Sequence, residues 1–318
     1  MSMQIGFNLP NSGKLTAPGT LARIAREGEA LGYDYLTLTD HVVLPDLAAP
    51  GYPYSESGEF LSGDPTVRHE LLTGMAWVAA KTERIRLVAA VLVVPHRPAV
   101  LAAKMLATID VLSGGRLTVG VGAGWLKAEF DAVVTTPFAA RGAVTDEYLA
   151  AFLALWTQDR PRFEGAYTRF ADLVLAPKPV QQPHPPIWVG GESPPALRRA
   201  ARFGQAWYPI GTNRAHPFDT LPRLAAGIER LRRLTAEAGR DPQAVSVAYR
   251  VKRLGADVPP RGSDGERRLF SGGEADALRD LRDLAGLGVS AVDVEIARDD
   301  AEASLRELRR LRALLARI

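Results

Sequence analysis

Apolar positions along the chain alternate between two rhythms. Short, nearly continuous runs rich in β-branched residues read as strands, and longer stretches with apolar residues every three or four positions read as helices. The opening 4–9 is a strand ended by Pro10 and the Asn11-Ser12-Gly13 turn, followed by a helix over about 20–31 that Gly32 closes. Tyr35 to Thr39 is a second strand, 40–63 a long polar loop, and Asp64-Pro65 predicts the start of a helix running to about Lys81. Ile85 to Val94 is apolar nearly throughout, as a parallel strand buried on both faces should be. Pro98 starts the next helix, which ends at Ser113-Gly114-Gly115, and 117–121 is the fourth strand. A long loop over 122–137 then leads into a helix over 141–156.

The alternation breaks at about 158–184, where two short strand-like pieces around Gly165 and a proline cluster predict an insertion before the fifth strand, 186–189. It resumes with helices over 194–203, 218–238, 275–287 and 301–318 and strands over 206–210, 245–251 and 291–295. Eight strand–helix units in 318 residues predict an α/β chain folded as a (β/α)8 TIM barrel, with an open doubly wound sheet as the alternative. No linker divides the chain, so 1–318 reads as one domain with a mobile loop at about 255–273.

Composition narrows the function classes. With 47% hydrophobic and 24% charged residues, disorder and fibrous folds are excluded. The longest apolar run, Leu87 to Val94, is far short of the roughly 20 residues that span a bilayer. The N-terminus shows no signal-peptide pattern, so no membrane partner and a cytoplasmic location are expected. Lys and Arg number 39 against 36 Asp and Glu, with no basic block, and no nucleic-acid partner is expected. The absence of cysteine removes disulfides, iron–sulfur clusters and thiolate chemistry, and no tight pairing of histidines with carboxylates predicts a metal site. Redox chemistry would need a bound cofactor.

In a barrel, chemistry sits at the C-terminal ends of the strands. Asp40-His41, after the second strand, offers an orienting carboxylate and an imidazole suited to proton transfer; alternatively Asp40 only caps a turn. His96 fits a packing role as well as a chemical one, and His69, His184 and His216 read as surface or packing residues. Gly190-Gly191-Glu192-Ser193 lies between a buried strand and a helix, where free amides can hold a phosphate; the alternative is a tight turn with Ser193 as N-cap. Gly120-Val121-Gly122-Ala123-Gly124 has its third glycine at the wrong spacing for a dinucleotide fingerprint and instead allows a flat ring or a backbone to pass close to the strand end. The loop over 50–60, with Tyr52 and Tyr54, suits either a closing lid or a dimer contact.

Taken together these segments resemble the luciferase-like flavin and deazaflavin oxidoreductases, in particular an F420-dependent branch. The resemblance covers nearly the whole chain. It is carried by Leu38-Thr39-Asp40-His41, by Thr82-Glu83-Arg84-Ile85-Arg86-Leu87, by Ala103-Lys104 and Asp110 through Arg116, by Gly120 through Trp125, and by Pro177 through Gln181 with Pro185 through Gly191. It implies a barrel with an insertion before strand five, a cofactor ring at the barrel mouth and a homodimer. By the same resemblance Asp40 and His41 face the ring, with His41 exchanging the substrate proton. Ala90 and Val91 form a bulge behind the ring, often with a non-prolyl cis peptide; Ala123 and Gly124 lie beside it, and Gly190, Gly191, Glu192 and Ser193 hold the cofactor phosphate.

Where related sugar-phosphate dehydrogenases carry a glutamate after the glycine motif, this chain has Trp125, which with Tyr52 and Tyr54 predicts a pocket for a hydrophobic or conjugated small organic substrate. Three functions follow as expectations. The first is hydride transfer between coenzyme F420 and an organic substrate; the second is monooxygenation with reduced FMN and O2; the third is a non-catalytic barrel that binds flavin or pairs with another subunit. Arg97, Arg214, Arg250 and Lys252 would suit the acidic tail of F420.

Overall fold

The computed structural model describes residues 3–45, 51–55, 58 and 67–317. Its strands are β1 (Gln4–Asn8), β2 (Tyr35–Leu38), β3 (Arg86–Ala89), β4 (Leu92–Val93), β5 (Leu117–Gly122), β6 (Phe163–Glu164), β7 (Arg169–Phe170), β8 (Ile187–Gly190), β9 (Ala206–Tyr208), β10 (Ser246–Val251) and β11 (Val289–Glu295). All except β6 and β7 are parallel and lie in one sheet, which closes because β3 and β5 also pair. With β4 continuing β3, this is an eight-stranded (β/α)8 barrel. The helices are α1 (Pro18–Ala30), α2 (Leu71–Ala79), α3 (Ala99–Leu112), α4 (Lys127–Val133), α5 (Arg141–Thr157), α6 (Pro194–Phe203), α7 (Leu221–Glu237), α8 (Glu274–Gly286) and α9 (Ala301–Leu315).

Side-chain alternation along each strand divides the interior in two. On β2, Leu36 and Leu38 turn outward into the large core between strands and helices, while Tyr35 turns inward. Inside the barrel Tyr35 meets Trp188 edge-on at 5.4 Å, and Trp188 meets Tyr208 at 5.5 Å. This aromatic layer plugs the lumen, and a cavity lies above it, at the C-terminal strand ends. Gly6 has no room for a side chain because the Tyr35 ring fills it.

Four local expectations are corrected. The run over 85–94 is not one strand: it is interrupted between β3 and β4, where the Ala90–Val91 peptide is cis. The expected helix start at Asp64-Pro65 lies outside the described residues, and α2 begins only after Glu70, whose carboxylate accepts the Leu72 and Thr73 amides. The 122–137 loop contains α4. The helix before β10 starts at Leu221 rather than near 218.

The insertion is an antiparallel pair, β6 with β7, anchored by Glu147, which accepts the amides of Ala166, Tyr167 and Thr168. Arg116, from the motif shared with the luciferase-like enzymes, is structural. It donates to the carbonyls of Ala79, Thr82, Ile85 and Ser113, groups that the ends of α2 and α3 and the turn before β3 leave exposed.

Candidate active site

A cavity of about 750 Å³ opens above the aromatic plug. Its back wall is the interruption of the third barrel strand. A side chain at Gly122 would place its Cβ 2.6 Å from Val91 Cγ2, and one at Gly190 would lie 2.8 Å from Val91 Cγ1, so the adjacent strand β5 and the strand beyond it, β8, are both stripped to glycine where the Val91 side chain reaches across them. Gly120 is filled in the same way by the Ala89 carbonyl. The glycine run therefore accommodates the bulge itself. Ala90, Val91, Ala123, Gly124, Gly190, Gly191 and Ser193 all line the cavity, as do Asp40, His41, Tyr52, Tyr54 and Trp125.

Asp40 and His41 are both at the mouth but are not partners. Successive residues leaving a strand point to opposite sides, and here they do. Asp40, 3% exposed, accepts two 2.9 Å bonds from the Arg97 guanidinium and a third from the Val93 amide, locking the end of β2 to β4. His41 Nδ1 instead lies 2.8 Å from Glu129 Oε2, and the other Glu129 oxygen accepts the Val42 amide at 2.6 Å. Glu129 is carried by α4, the helix missing from the sequence reading, and is 2% exposed. Burial pushes its carboxyl up, but the hydrogen bond and charge of His41 and the Val42 amide together hold it below the usual carboxylate range. An ionised acceptor at Nδ1 fixes the proton there and leaves Nε2 to exchange one. The Trp125 ring stands 6.5 Å from the imidazole and 5.1 Å from the Tyr52 ring.

The turn after β8 is shaped by Gly191, whose φ of +100° favours glycine, and by the Trp207 indole, which donates to the Gly191 carbonyl at 2.9 Å. Ser193 occupies the N-cap of α6 without a capping side-chain bond. Pro194 and Pro195 follow it and supply no N–H, so any anion here relies on the turn, on Ser193 and on the nearby Arg141 and Arg199, which also line the cavity. The Glu192 side chain is turned toward the loop after β9. It accepts from the Ile210 amide at 2.7 Å and Asn213 Nδ2 at 3.0 Å and bonds Tyr54, and burial pushes its carboxyl up to about 7.

Of the four arginines and lysines expected at the outer mouth, two are elsewhere. Arg97 is buried beneath Asp40 and Glu70, and Arg250 stands nine-tenths buried on the cavity floor. Arg214 is exposed, its amide bonded to the Pro53 carbonyl, and Lys252 lines the cavity. His96 packs against Phe130 at 6.2 Å, below the cavity wall. Sequence reasoning missed Glu129, Arg141 and Arg199. No local motif marks them, because each sits in a helix that follows a strand end and only the folded barrel brings it to partners remote in sequence, as Glu129 is from His41. Among the described residues no cluster of three or more His, Asp or Glu side chains could hold a metal ion, and no helix is long and apolar enough to cross a membrane.

The chain belongs to the luciferase-like monooxygenase family, whose profile matches residues 3–255. It is an enzyme of that oxidoreductase family, which includes F420-dependent and FMNH2-dependent members. It is 43% identical over 144 residues to the FMNH2-dependent dimethylsulfone monooxygenase of Pseudomonas putida, a match that spans 44% of this chain and 39% of that enzyme. An uncharacterised protein of Mycobacterium bovis is 35% identical over 262 residues, 81% of this chain and 84% of that one. In fold, an F420-dependent secondary alcohol dehydrogenase solved with an F420-acetone adduct superposes with a TM-score of 0.75 over 99% of both chains at 17% identity.

Proposed function

We propose that the protein transfers a hydride between coenzyme F420 and a small organic substrate, with His41 exchanging the accompanying proton. The His41–Glu129 pair carries this reading: a buried, ionised carboxylate behind an imidazole at a cavity mouth suits a reaction in which a proton must move with the hydride. The cavity has the size of a cofactor-and-substrate site, and the glycine-flanked Val91 bulge gives a ring a smooth wall to lie on.

In this reading Ala90 and Val91 back the ring, Ala123, Gly124 and Asp40 border it, and Gly190, Gly191, the Glu192 backbone and Ser193, with Arg141 and Arg199, hold the phosphate. Bound F420 would supply the carbon that accepts or gives the hydride. Everything else falls to the chain. His41 Nε2 takes the proton of an alcohol as its hydride leaves, or returns one to an oxygen gaining charge. Glu129 remains ionised and stabilises the imidazolium. Trp125 and Tyr52 keep water from the exchanging nitrogen.

The test is titration of the protein with F420 and with FMN, oxidised and reduced, followed by turnover of His41→Asn. Micromolar F420 binding, with turnover in the variant reduced about 10²- to 10⁴-fold at similar cofactor affinity, is the expected result. Wild-type turnover by His41→Asn would remove the proton role. The second reading, a monooxygenase using reduced FMN and O2, is favoured by the 43% identity to the Pseudomonas enzyme. Preference for reduced FMN, with oxygen consumed on substrate addition, selects it.

A further inference from the structure

The cavity is cationic on two sides, and only the side that carries Arg141 and Arg199 faces the turn after β8. Opposite the turn after β8, the wall is made by β10, β11 and the segment after β1, and it carries Lys14, Arg250, Lys252, Arg253 and Arg298 against Glu295 and Asp299. Arg250 and Lys252 are two residues apart at the end of β10, so both project to the same face, into the cavity, Arg250 at its floor and Lys252 nearer the mouth.

The condition of Arg250 is unusual. Its nearest acceptors are Thr37 Oγ1 at 3.4 Å, the Tyr208 hydroxyl at 3.5 Å, Asp293 at 3.5 Å and Glu295 at 3.6 Å. Both carboxylates pair with it, but only at 3.5 and 3.6 Å, although the residue is 9% exposed. Arg97, equally buried, shows what a satisfied guanidinium looks like in this protein, with its two 2.9 Å bonds to Asp40. A guanidinium has five donors, and Arg250 meets its acceptors only at 3.4–3.6 Å while lining the cavity, so an anion placed there can offer it shorter bonds. Lys252 donates to the Tyr52 hydroxyl at 3.1 Å and the Tyr54 carbonyl at 3.3 Å, both neutral acceptors, and no carboxylate pairs with it or with Arg253 among the described residues. Arg298 is neutralised by Glu307 at 2.7 Å.

We propose that this wall receives the anionic head of the substrate, a carboxylate or sulfonate held between Arg250 and Lys252, with the apolar body lying against Tyr52 and Trp125. The inference rests on the functional reading above and replaces a wholly apolar substrate with an amphiphilic one. It also assigns the two cationic sides different tasks: the cofactor phosphate near Ser193, and the substrate near Lys252. A protonation consequence follows. Burial, then Arg250 and Arg253, push the Lys252 ammonium down to about 8, against the opposing pull of Glu295. Arg298 from the loop after β11 and the Tyr52 hydroxyl are the other groups on this side. An anion placed here restores the charged form, so binding takes up a proton near pH 8.

The experiment uses the full chain loaded with FMN or with F420 and compares hexanoate and hexane-1-sulfonate with the neutral hexanamide, read by calorimetry in two buffers of different ionisation enthalpy. The anions are expected to bind at least tenfold tighter than the amide. Proton uptake of about half a proton is expected near pH 8. Lys252→Gln should bring the preference below threefold and abolish the uptake, and Arg253→Gln, an exposed position, should weaken the preference without a change in fold. Equal binding of amide and anions, or unaltered preference in both variants, overturns the proposal. Loss of hexanoate binding in the F420-loaded protein but not the FMN-loaded one also overturns it, because these cations would then serve the cofactor tail. Failure of both cofactors to bind, with the anion preference intact, would sink the functional reading and leave the anion site standing.

Discussion

Three buried carboxylates at the barrel mouth do three different things, and their neighbours decide which. Asp40 holds Arg97, Glu129 holds His41, and Glu192 holds the loop after β9. Removing Asp40 would leave the Arg97 charge buried with only Glu70 as partner, so Asp40→Ala is expected to lower the urea-unfolding free energy by about 3–5 kcal/mol. Glu129→Gln should behave differently. Its amide keeps one acceptor oxygen where Glu129 has two, one for the His41 Nδ1–H and one for the Val42 N–H, and carries no charge to stabilise the imidazolium, so turnover should fall about 10²- to 10⁴-fold, while the denaturation midpoint moves far less than in Asp40→Ala. A turnover within threefold of wild type would show that Glu129 does not act through His41. The sequence marked His41 correctly as a mouth residue but assigned its orienting carboxylate by adjacency. The actual partner lies 88 positions along the chain. Strand geometry already argued against the neighbour, since consecutive side chains diverge; it could not point to Glu129.

At the scale of elements, hydrophobic period was enough to find the barrel strands and nearly every helix, because each strand buries both faces and each helix buries one. It failed where local chemistry misled. The helix expected from Asp64-Pro65 is absent over the described residues 67–70, and α2 starts at Leu71, capped by Glu70, a residue that seldom serves there. α4 has only 7 residues, too few to display a period. The bulge between β3 and β4 was invisible to period, which shows only apolar residues, and came instead from family resemblance. One of its glycines can be tested against a helix glycine outside it. Gly122→Ala places a methyl 2.6 Å from Val91 Cγ2 and should cost about 1–3 kcal/mol and weaken cofactor binding. Gly74→Ala, within α2, meets nothing closer than Leu38 at 3.5 Å and should instead stabilise by up to about 1 kcal/mol. Equal effects of the two substitutions in chemical denaturation would discount the bulge as a steric constraint.

For the molecule as a whole, buried acids set how stability responds to pH. Burial raises Glu192 to about 7, and burial raises Asp293 to about 6 despite Arg250 and the Tyr208 hydroxyl. Both hold a proton in the folded state that the unfolded chain gives up at lower pH. The folded protein therefore binds more protons between the ordinary carboxylate range and pH 7, and stability falls as pH rises through that window. The Glu192 shift corresponds to at most about 3 kcal/mol. A thermal midpoint that declines from pH 5 to pH 8, with a shallower decline in Glu192→Gln, is the expected outcome; a flat wild-type profile would contradict it.

His41 and Glu129 also follow different strands, His41 just after β2 and Glu129 on α4 after β5, and neither belongs to the apolar core that holds the barrel together. Lengthening or shortening the short path from Gly124 to Glu129 would separate them while leaving every strand and its helix in place. Proton exchange can thus be lost in a lineage without dismantling the apolar core. Copies that lose it would persist as stable barrels with an intact cavity, open to selection for a different chemistry.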